Sequence, residues 1–251
     1  MLKRLFLILL ALLPLPLQAE SLRIAAAADL VYCLDDLNAL FKKQHPQADV
    51  KLSTGSSGNF FAQIQGGAPY DVFLSADMKY PQALVQAGLA DPASLTRYAI
   101  GRIALWTLRR DVDVSRGLVV LKDPAVRRIA IANPSHAPYG RAAQSAMARA
   151  GVWDAVQGRL IMGENISQTA QFVQSGNADV GVVALSLLKS PKLAGQGSYY
   201  AVPLDSYPRM DQGLVLTRRG AANPLARAYI EFLRSAEARA VFNRYGFLLP
   251  E

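Results

Sequence analysis

Two hydrophobic periods alternate along this chain. Short apolar runs suit buried strands, and between them apolar residues recur at helical spacing, as Leu30, Leu34, Leu37 and Phe41 do. This alternation predicts an α/β fold in which mostly parallel sheets are flanked by helices and ligands bind at the carboxyl ends of strands. The predicted strands are residues 22–27, 50–52, 71–75, 98–108, 128–132, 160–162, 179–185, 199–203 and 212–217. The predicted helices are residues 29–43, 59–65, 81–87, 141–150, 167–175, 224–233 and 237–245.

Two stretches predict that the chain passes twice between two lobes. Residues 98–108 alternate over one long predicted strand, and residues 199–217 bring the chain back. We therefore predict that residues 20–101 and 212–251 form the first lobe and that residues 102–211 form the second.

The first 19 residues have the pattern of a secretory signal peptide. Lys3 and Arg4 form a basic start, residues 5–13 are apolar, and Ala19 precedes the expected cleavage. The apolar run is shorter than the roughly 20 residues that a membrane-spanning helix needs. The pattern therefore predicts that the mature chain is exported to the periplasm.

The most informative loop is TGSSGN, residues 54–59, which separates a predicted strand from a predicted helix. A helix that begins after a tight loop presents free N–H groups and the positive end of its dipole, which together favour an anion. Serine hydroxyls add donors without adding charge. We predict that a small oxyanion binds where four such strand-to-helix junctions converge. The junctions are Ala28-Asp29, Ser56-Ser57, Pro138-Tyr139-Gly140 and Asn165-Ile166.

Composition and charge narrow the classes of function. The chain has 251 residues, of which 51% are hydrophobic and 18% charged, enough for a substantial core. Its formal net charge of +8 favours anionic partners in general, but the basic residues are scattered, which argues against nucleic-acid binding. The single cysteine, Cys33, cannot form an internal disulfide, and we predict that it is a small buried hydrophobe.

Four segments of the sequence resemble the periplasmic molybdate-binding proteins of ABC importers. They read GSSGNFFAQIQGGAPYDVFLSAD, IANPSHAPYG, GNADVGVVALS and FNRYGF. The resemblance extends over the whole mature chain and implies a two-lobed periplasmic-binding-protein fold of type II with two chain crossings. It implies a monomer, not an enzyme, that binds molybdate and also tungstate between its lobes and delivers the ion to a membrane permease.

The resemblance also implies which residues bind the ligand. Matched position by position, they are Ala28 and Asp29, the hydroxyl and N–H of Ser57, and the main-chain N–H groups of Tyr139 and Ile166. The molybdenum oxyanion would be held through Asp29, Ser57, Tyr139 and Ile166, with no counter-ion and no further cofactor.

Two positions depart from the family pattern. Many relatives have Ser, Thr or Asn where this chain has Ala28-Asp29, and a branch of the family has Tyr where this chain has Ala184. A carboxylate beside a dianion is repulsive, which leaves two hypotheses for Asp29. Either its side chain caps the following helix while its N–H contacts the ligand, or the side chain enters the site. In the second case the carboxyl is protonated, or the ligand is not a dianion.

Other functions fit parts of the sequence. An exported hydrolase would use Ser57 with His136, but no GxSxG motif surrounds either Ser56 or Ser57. An anion-sensing effector lobe usually accompanies a DNA-binding helix pair, which the sequence lacks. The same fold with a different small oxyanion or solute is the main alternative.

Overall fold

Two five-stranded sheets flanked by helices form the chain in the computed structural model, which describes residues 21–250. The predicted signal peptide lies outside this range. The strands are β1 Ser21–Ala27, β2 Asp49–Gly55, β3 Val72–Ser75, β4 Thr96–Gly101, β5 Ile103–Thr107, β6 Ile129–Ala132, β7 Leu160–Gly163, β8 Val180–Ala184, β9 Ser198–Ala201 and β10 Met210–Leu216. The first sheet has the strand order β2-β1-β3-β10-β4, and the second has the order β7-β6-β8-β5-β9.

Ten α-helices and several short 3-10 segments connect these strands within the described range. The α-helices are α1 Val31–Gln44, α2 Ser57–Gln65, α3 Lys79–Gln86, α4 Pro138–Arg149, α5 Trp153–Val156, α6 Ile166–Gln174, α7 Leu185–Leu188, α8 Arg218–Ala221, α9 Pro224–Arg234 and α10 Ala236–Arg244. The 3-10 segments are Ala28–Leu30, Pro92–Ser94, Val114–Lys122, Gln157–Arg159 and Leu204–Ser206. No helix between residues 21 and 250 is long and apolar enough to cross a membrane.

Both sheets are mixed, but four of the five strands in each run in the same direction, so the prediction that they are mostly parallel is confirmed. In the first sheet β1 pairs in parallel with β2 and β3, whereas β10 pairs antiparallel with β3 and β4. The second sheet repeats this arrangement, with β6 parallel to β7 and β8, and with β5 antiparallel to β8 and β9. The antiparallel strands β5 and β10 are the first strands after each passage from the other sheet. Their direction follows from that crossing, not from a βαβ connection.

The chain crosses twice between the sheets, as predicted. The first crossing is at Arg102, where the predicted strand 98–108 divides into β4 and β5 in different sheets. Prediction of one continuous strand was wrong there, because residues buried in either sheet give the same apolar pattern. The residue limits proposed for the two lobes stay predictions.

Three hydrophobic clusters hold the sheets and helices together. One lies between the first sheet and the helices α1, α9 and α10, where the rings of Phe41 and Tyr229 meet edge-to-face at 5.0 Å. It includes Cys33, which is fully buried, as predicted. A second cluster joins the opposite face of that sheet to α2 and α3. The third fills the second lobe and takes in Ala27, Ala28 and Ala76 from the first, so the two lobes touch through small side chains.

Candidate functional site

The four predicted junctions each lie where a strand ends and a helical segment begins. In the first lobe β1 leads into the 3-10 turn Ala28–Leu30, and β2 leads into α2; in the second lobe β6 precedes α4, and β7 precedes α6. Because the carboxyl ends of parallel neighbours meet at one sheet edge, each lobe presents two junctions on the same side. Contacts between α6 and the Ala28–Leu30 turn join one junction of each lobe.

At the Ser56-Ser57 junction, the capping residue leaves one donor free. Ser56 is the N-cap of α2, and its Oγ accepts the N–H of Asn59 at 3.3 Å. The N–H of Gly58 donates to the carbonyl of His136 in the other lobe at 2.9 Å. Within residues 21–250 the N–H of Ser57 has no acceptor, although Ser57 is fully buried.

The hydroxyl of Ser57 is also placed to donate. Its Oγ accepts the main-chain N–H of Ala76 at 2.9 Å. A hydroxyl that accepts one hydrogen bond keeps its own hydrogen for a second partner. That hydrogen has no acceptor in the part of the chain that the structure describes.

The helix starts of the second lobe repeat this pattern. Asn165 caps α6 and accepts the N–H groups of Ser167 and Gln168, both at 3.0 Å, while Ile166 N–H has no acceptor among the described residues. Helix α4 begins with Pro138, which has no N–H, so Tyr139 carries its first donor. That N–H is likewise unpaired within the described range, and both Tyr139 and Ile166 are buried.

Asp29 does not cap a helix, so the capping hypothesis for its side chain is wrong. Neither the Ala28–Leu30 turn nor α1 has a side-chain cap. Instead the buried carboxyl lies between the lobes, where its Oδ2 accepts the Tyr139 hydroxyl at 2.9 Å and the Gln212 Nε2 at 2.7 Å. Its Oδ1 has no hydrogen-bond partner in the structure of residues 21–250.

Burial dominates the acidity of this carboxyl. Desolvation raises the pKa of Asp29 from 3.8 to about 6, against the opposing effect of hydrogen bonds from Gln212, Tyr139 and its own main-chain N–H. Asp29 therefore takes up or releases its proton near pH 6.

Gln212 and Tyr98 complete the network and were not predicted. Gln212 lies on β10, is fully buried, and its Nε2 also lies 3.2 Å from the Tyr139 hydroxyl. The Tyr98 hydroxyl donates to Gln212 Oε1 at 2.8 Å, which fixes the amide so that Nε2 faces Asp29. The available signal was an amide close before the apolar residues 214–216 of this strand.

Contacts around the site tie the lobes together at the rim. His136 Nδ1 lies 2.9 Å from Ser56 Oγ, and Arg141 of α4 pairs with Asp77 of the first lobe at 2.5 Å. The Ser186 hydroxyl donates to the carbonyl of Asp29 at 2.8 Å. A groove of about 290 Å³ lined by Asp77 and Arg141 opens beside these contacts. The structure therefore holds the lobes closed upon each other.

The hydrolase hypothesis finds no matching geometry. His136 contacts Ser56 and not Ser57, and Ser56 is engaged as the cap of α2. Ser57 instead accepts from Ala76. Serine attack on a substrate would need a base on Ser57, and the described residues place none within hydrogen-bond distance of its Oγ.

Two α/β lobes joined by two chain crossings, with N–H groups at helix starts that have no acceptor within residues 21–250, form the arrangement of a solute-binding protein. A family model described as "Bacterial extracellular solute-binding protein" matches residues 22–248, and the chain belongs to this family.

Relatives of known name agree with this assignment. The chain is 38% identical to a molybdate-binding protein of Azotobacter vinelandii over 92% of this chain and 90% of that protein. It is 37% identical to a molybdate-binding protein of Rhodobacter capsulatus over 94% and 91% of the two chains. The solved structure of a periplasmic molybdate-binding protein of Azotobacter vinelandii superposes with a TM-score of 0.86 at 35% identity, over 92% of this chain and 100% of that one.

Proposed function

We propose that this protein captures molybdate, and also tungstate, between its two lobes in the periplasm and delivers the ion to the membrane permease of an ABC importer. The ion is the cargo, and no other cofactor takes part. The protein acts as a monomer and does not transform its ligand. The two molybdate-binding relatives, at 38% and 37% identity, support this choice of cargo.

One observation carries the proposal: buried residues at three helix starts keep main-chain N–H groups without acceptors in the described range. The great majority of buried N–H groups in proteins are paired, so buried donors without a partner favour a bound acceptor. The donors are Ser57, Tyr139 and Ile166, joined by the Ser57 hydroxyl and the Ala28-Asp29 turn.

The free energies of the proposed hydrogen bonds are sufficient for micromolar affinity. Hydrogen bonds to a charged group contribute about 1.5–3 kcal/mol each, and a micromolar ligand requires about 8 kcal/mol. A handful of such bonds to the four oxygens of a tetrahedral ion reaches that figure. No basic side chain belongs to the proposed set of donors, so binding needs no counter-cation.

A thermal-shift panel of oxyanions on the mature chain tests the proposal. Ligand at about 100 times its dissociation constant stabilises by roughly 2.7 kcal/mol, which for a chain of this size raises the melting midpoint by about 5–10 °C. We expect molybdate and tungstate to produce this shift and phosphate to produce none. A chain that responds to no oxyanion contradicts the proposal, and a response to another oxyanion alone changes the cargo.

Ser57→Ala provides the site-specific arm of this experiment. The change removes a hydroxyl donor and leaves Ala76 N–H without its acceptor, so we expect at least tenfold weaker molybdate binding by equilibrium dialysis. Ser198→Ala, at an exposed serine of β9, is the matched control and should bind like the parent chain. Equal affinities for all three proteins would remove Ser57 from the site.

A further inference from the structure

We propose that Asp29 binds the oxyanion as a neutral acid, with Oδ1–H as the donor. Binding then takes up one proton whenever Asp29 is ionised in the free protein. This inference rests on the proposed oxyanion site and adds the protonation state that the site requires.

The hydrogen bonds of the carboxyl dictate which oxygen carries the proton. Oδ2 already accepts from the Tyr139 hydroxyl and from Gln212 Nε2, and the Tyr98 hydroxyl holds that amide in place. A proton on Oδ2 would compete with both donors. Oδ1 has no partner among residues 21–250 and is the oxygen free to carry a hydrogen.

Asp29 also contacts elements that carry two of the other proposed donors. Its turn contacts α6, which begins at Ile166, and its carboxyl accepts the hydroxyl of Tyr139, the second residue of α4. An ionised carboxylate here would face the anion at close range in a site where water is excluded, which is strongly unfavourable. A neutral carboxylic acid in the same place adds a donor.

Three other titratable side chains interact with the charge of Asp29 and stay neutral near pH 7. Cys33 on α1, Tyr98 on β4 and Tyr139 on α4 interact with its charge, and burial raises the pKa of each well above its ordinary value. Gln212 of β10 and Ser186 of α7 contact it as neutral groups.

The remaining charges on the elements around it are paired or distant. Helices α6 and α7 contain no titratable side chain. On β2, Asp49 and Lys51 pair with each other at the end opposite Gly55. Asp211 on β10 pairs with Arg97 and Arg209, while Arg141 on α4 pairs with Asp77.

The pKa of Asp29 in the free protein sets the pH range in which the affinity for the oxyanion changes. With the pKa of Asp29 raised to about 6, the neutral form is about one-eleventh of the protein at pH 7 and about one-hundredth at pH 8. When only one form binds, the apparent dissociation constant rises as that fraction falls. Affinity for a dianion should therefore weaken about tenfold per pH unit above pH 7.

Calorimetric titration of molybdate between pH 6.5 and 8.5 tests this in the parent chain, Asp29→Asn and Asp35→Asn. Titrations at pH 8 in buffers of different ionisation enthalpy count the protons taken up. We expect about one proton for the parent chain and none for Asp29→Asn, whose amide donates at every pH. At pH 8 Asp29→Asn should bind about 100-fold more tightly than the parent. Asp35→Asn removes an exposed charge from α1 and should follow the parent.

The outcomes separate this inference from the proposed function. Binding by the parent chain with a flat pH profile and no proton uptake overturns the role of Asp29 and leaves the oxyanion site standing. Absence of oxyanion binding in all three proteins overturns the proposed function itself. Because proton uptake is measured on the parent chain, the inference stays testable even when Asp29→Asn does not fold.

Discussion

At the scale of single residues, the N–H groups at each helix start of the proposed site have two uses. Some are paired within the protein, and one is left for the ligand. Asn165 takes the second and third N–H groups of α6, whereas on α2 Ser56 takes the third and the His136 carbonyl takes the second. The first N–H of each helix has no acceptor among the described residues. On α4 the N-cap residue makes no side-chain hydrogen bond and Pro138 lacks an N–H, so the first N–H of the helix belongs to Tyr139. Capping, usually discussed as a source of helix stability, here also decides which donors remain available for an anion.

Asp29 also makes the stability of the empty protein depend on pH. Its pKa is raised from 3.8 to about 6 on folding, so the folded state binds the proton more tightly than the unfolded state. The stabilisation is complete below pH 3.8 and is lost as pH rises through 6. In urea unfolding without oxyanion, we expect the parent chain to lose roughly 1–2 kcal/mol relative to Asp29→Asn between pH 5 and 7.5.

Asp35→Asn is the control for that measurement, since it removes an exposed carboxylate from α1, the helix that follows Asp29. Its stability should run parallel to the parent at both pH values. A constant difference between the parent chain and Asp29→Asn at pH 5 and pH 7.5 would contradict the raised pKa.

At the scale of elements, the first turn of α4 packs directly against the backbone at the end of β6. A Cβ at Gly140 would lie 2.1 Å from the carbonyl oxygen of Ala132 and 2.8 Å from the nitrogen of Pro134, both of them backbone atoms. Only glycine permits this approach, which brings Tyr139 into reach of Asp29. The sequence placed a junction here, but periodicity put the helix start at residue 141 because Pro138 to Gly140 looked like part of a turn.

Gly140→Ala should therefore displace the start of α4. We expect a loss of about 1–3 kcal/mol in the free energy of unfolding, the usual effect of overpacking, together with weaker oxyanion binding. Urea denaturation and equilibrium dialysis measure the two effects. Gly158→Ala is the matched control, because a Cβ there meets nothing within 4 Å. Equal stability of both variants would show that α4 can shift without strain.

At the scale of the whole molecule, contacts across the cleft favour the closed arrangement of the lobes. The Arg141–Asp77 pair, the His136–Ser56 contact and the Gly58 N–H on the His136 carbonyl all join residues of different lobes. Each contact exists only when the lobes meet, so each shifts the balance between open and closed forms and slows release of the cargo.

Arg141→Gln should weaken the closed form without unfolding either lobe. The pair is partly exposed, so we expect an effect of about 1 kcal/mol or less, seen as a two- to fivefold faster release of molybdate in stopped-flow experiments. Arg149→Gln, at the exposed end of α4, should release molybdate at the parent rate. Equal rates for both variants would mean that the rim pair does not hold the lobes together.

The sequence alone determined the features that depend on neighbours along the chain. The hydrophobic period placed most strands and helices, and with them the four strand-to-helix junctions, because periodicity is a local property of the chain. The tertiary structure decided which residues that are far apart in the sequence form hydrogen bonds with one another. Asp29 meets Tyr139 and Gln212 across separations of 110 and 183 residues, and no local pattern specifies such a meeting. Burial and these two donors set the acidity of Asp29, so its chemistry depends on how the lobes close around it.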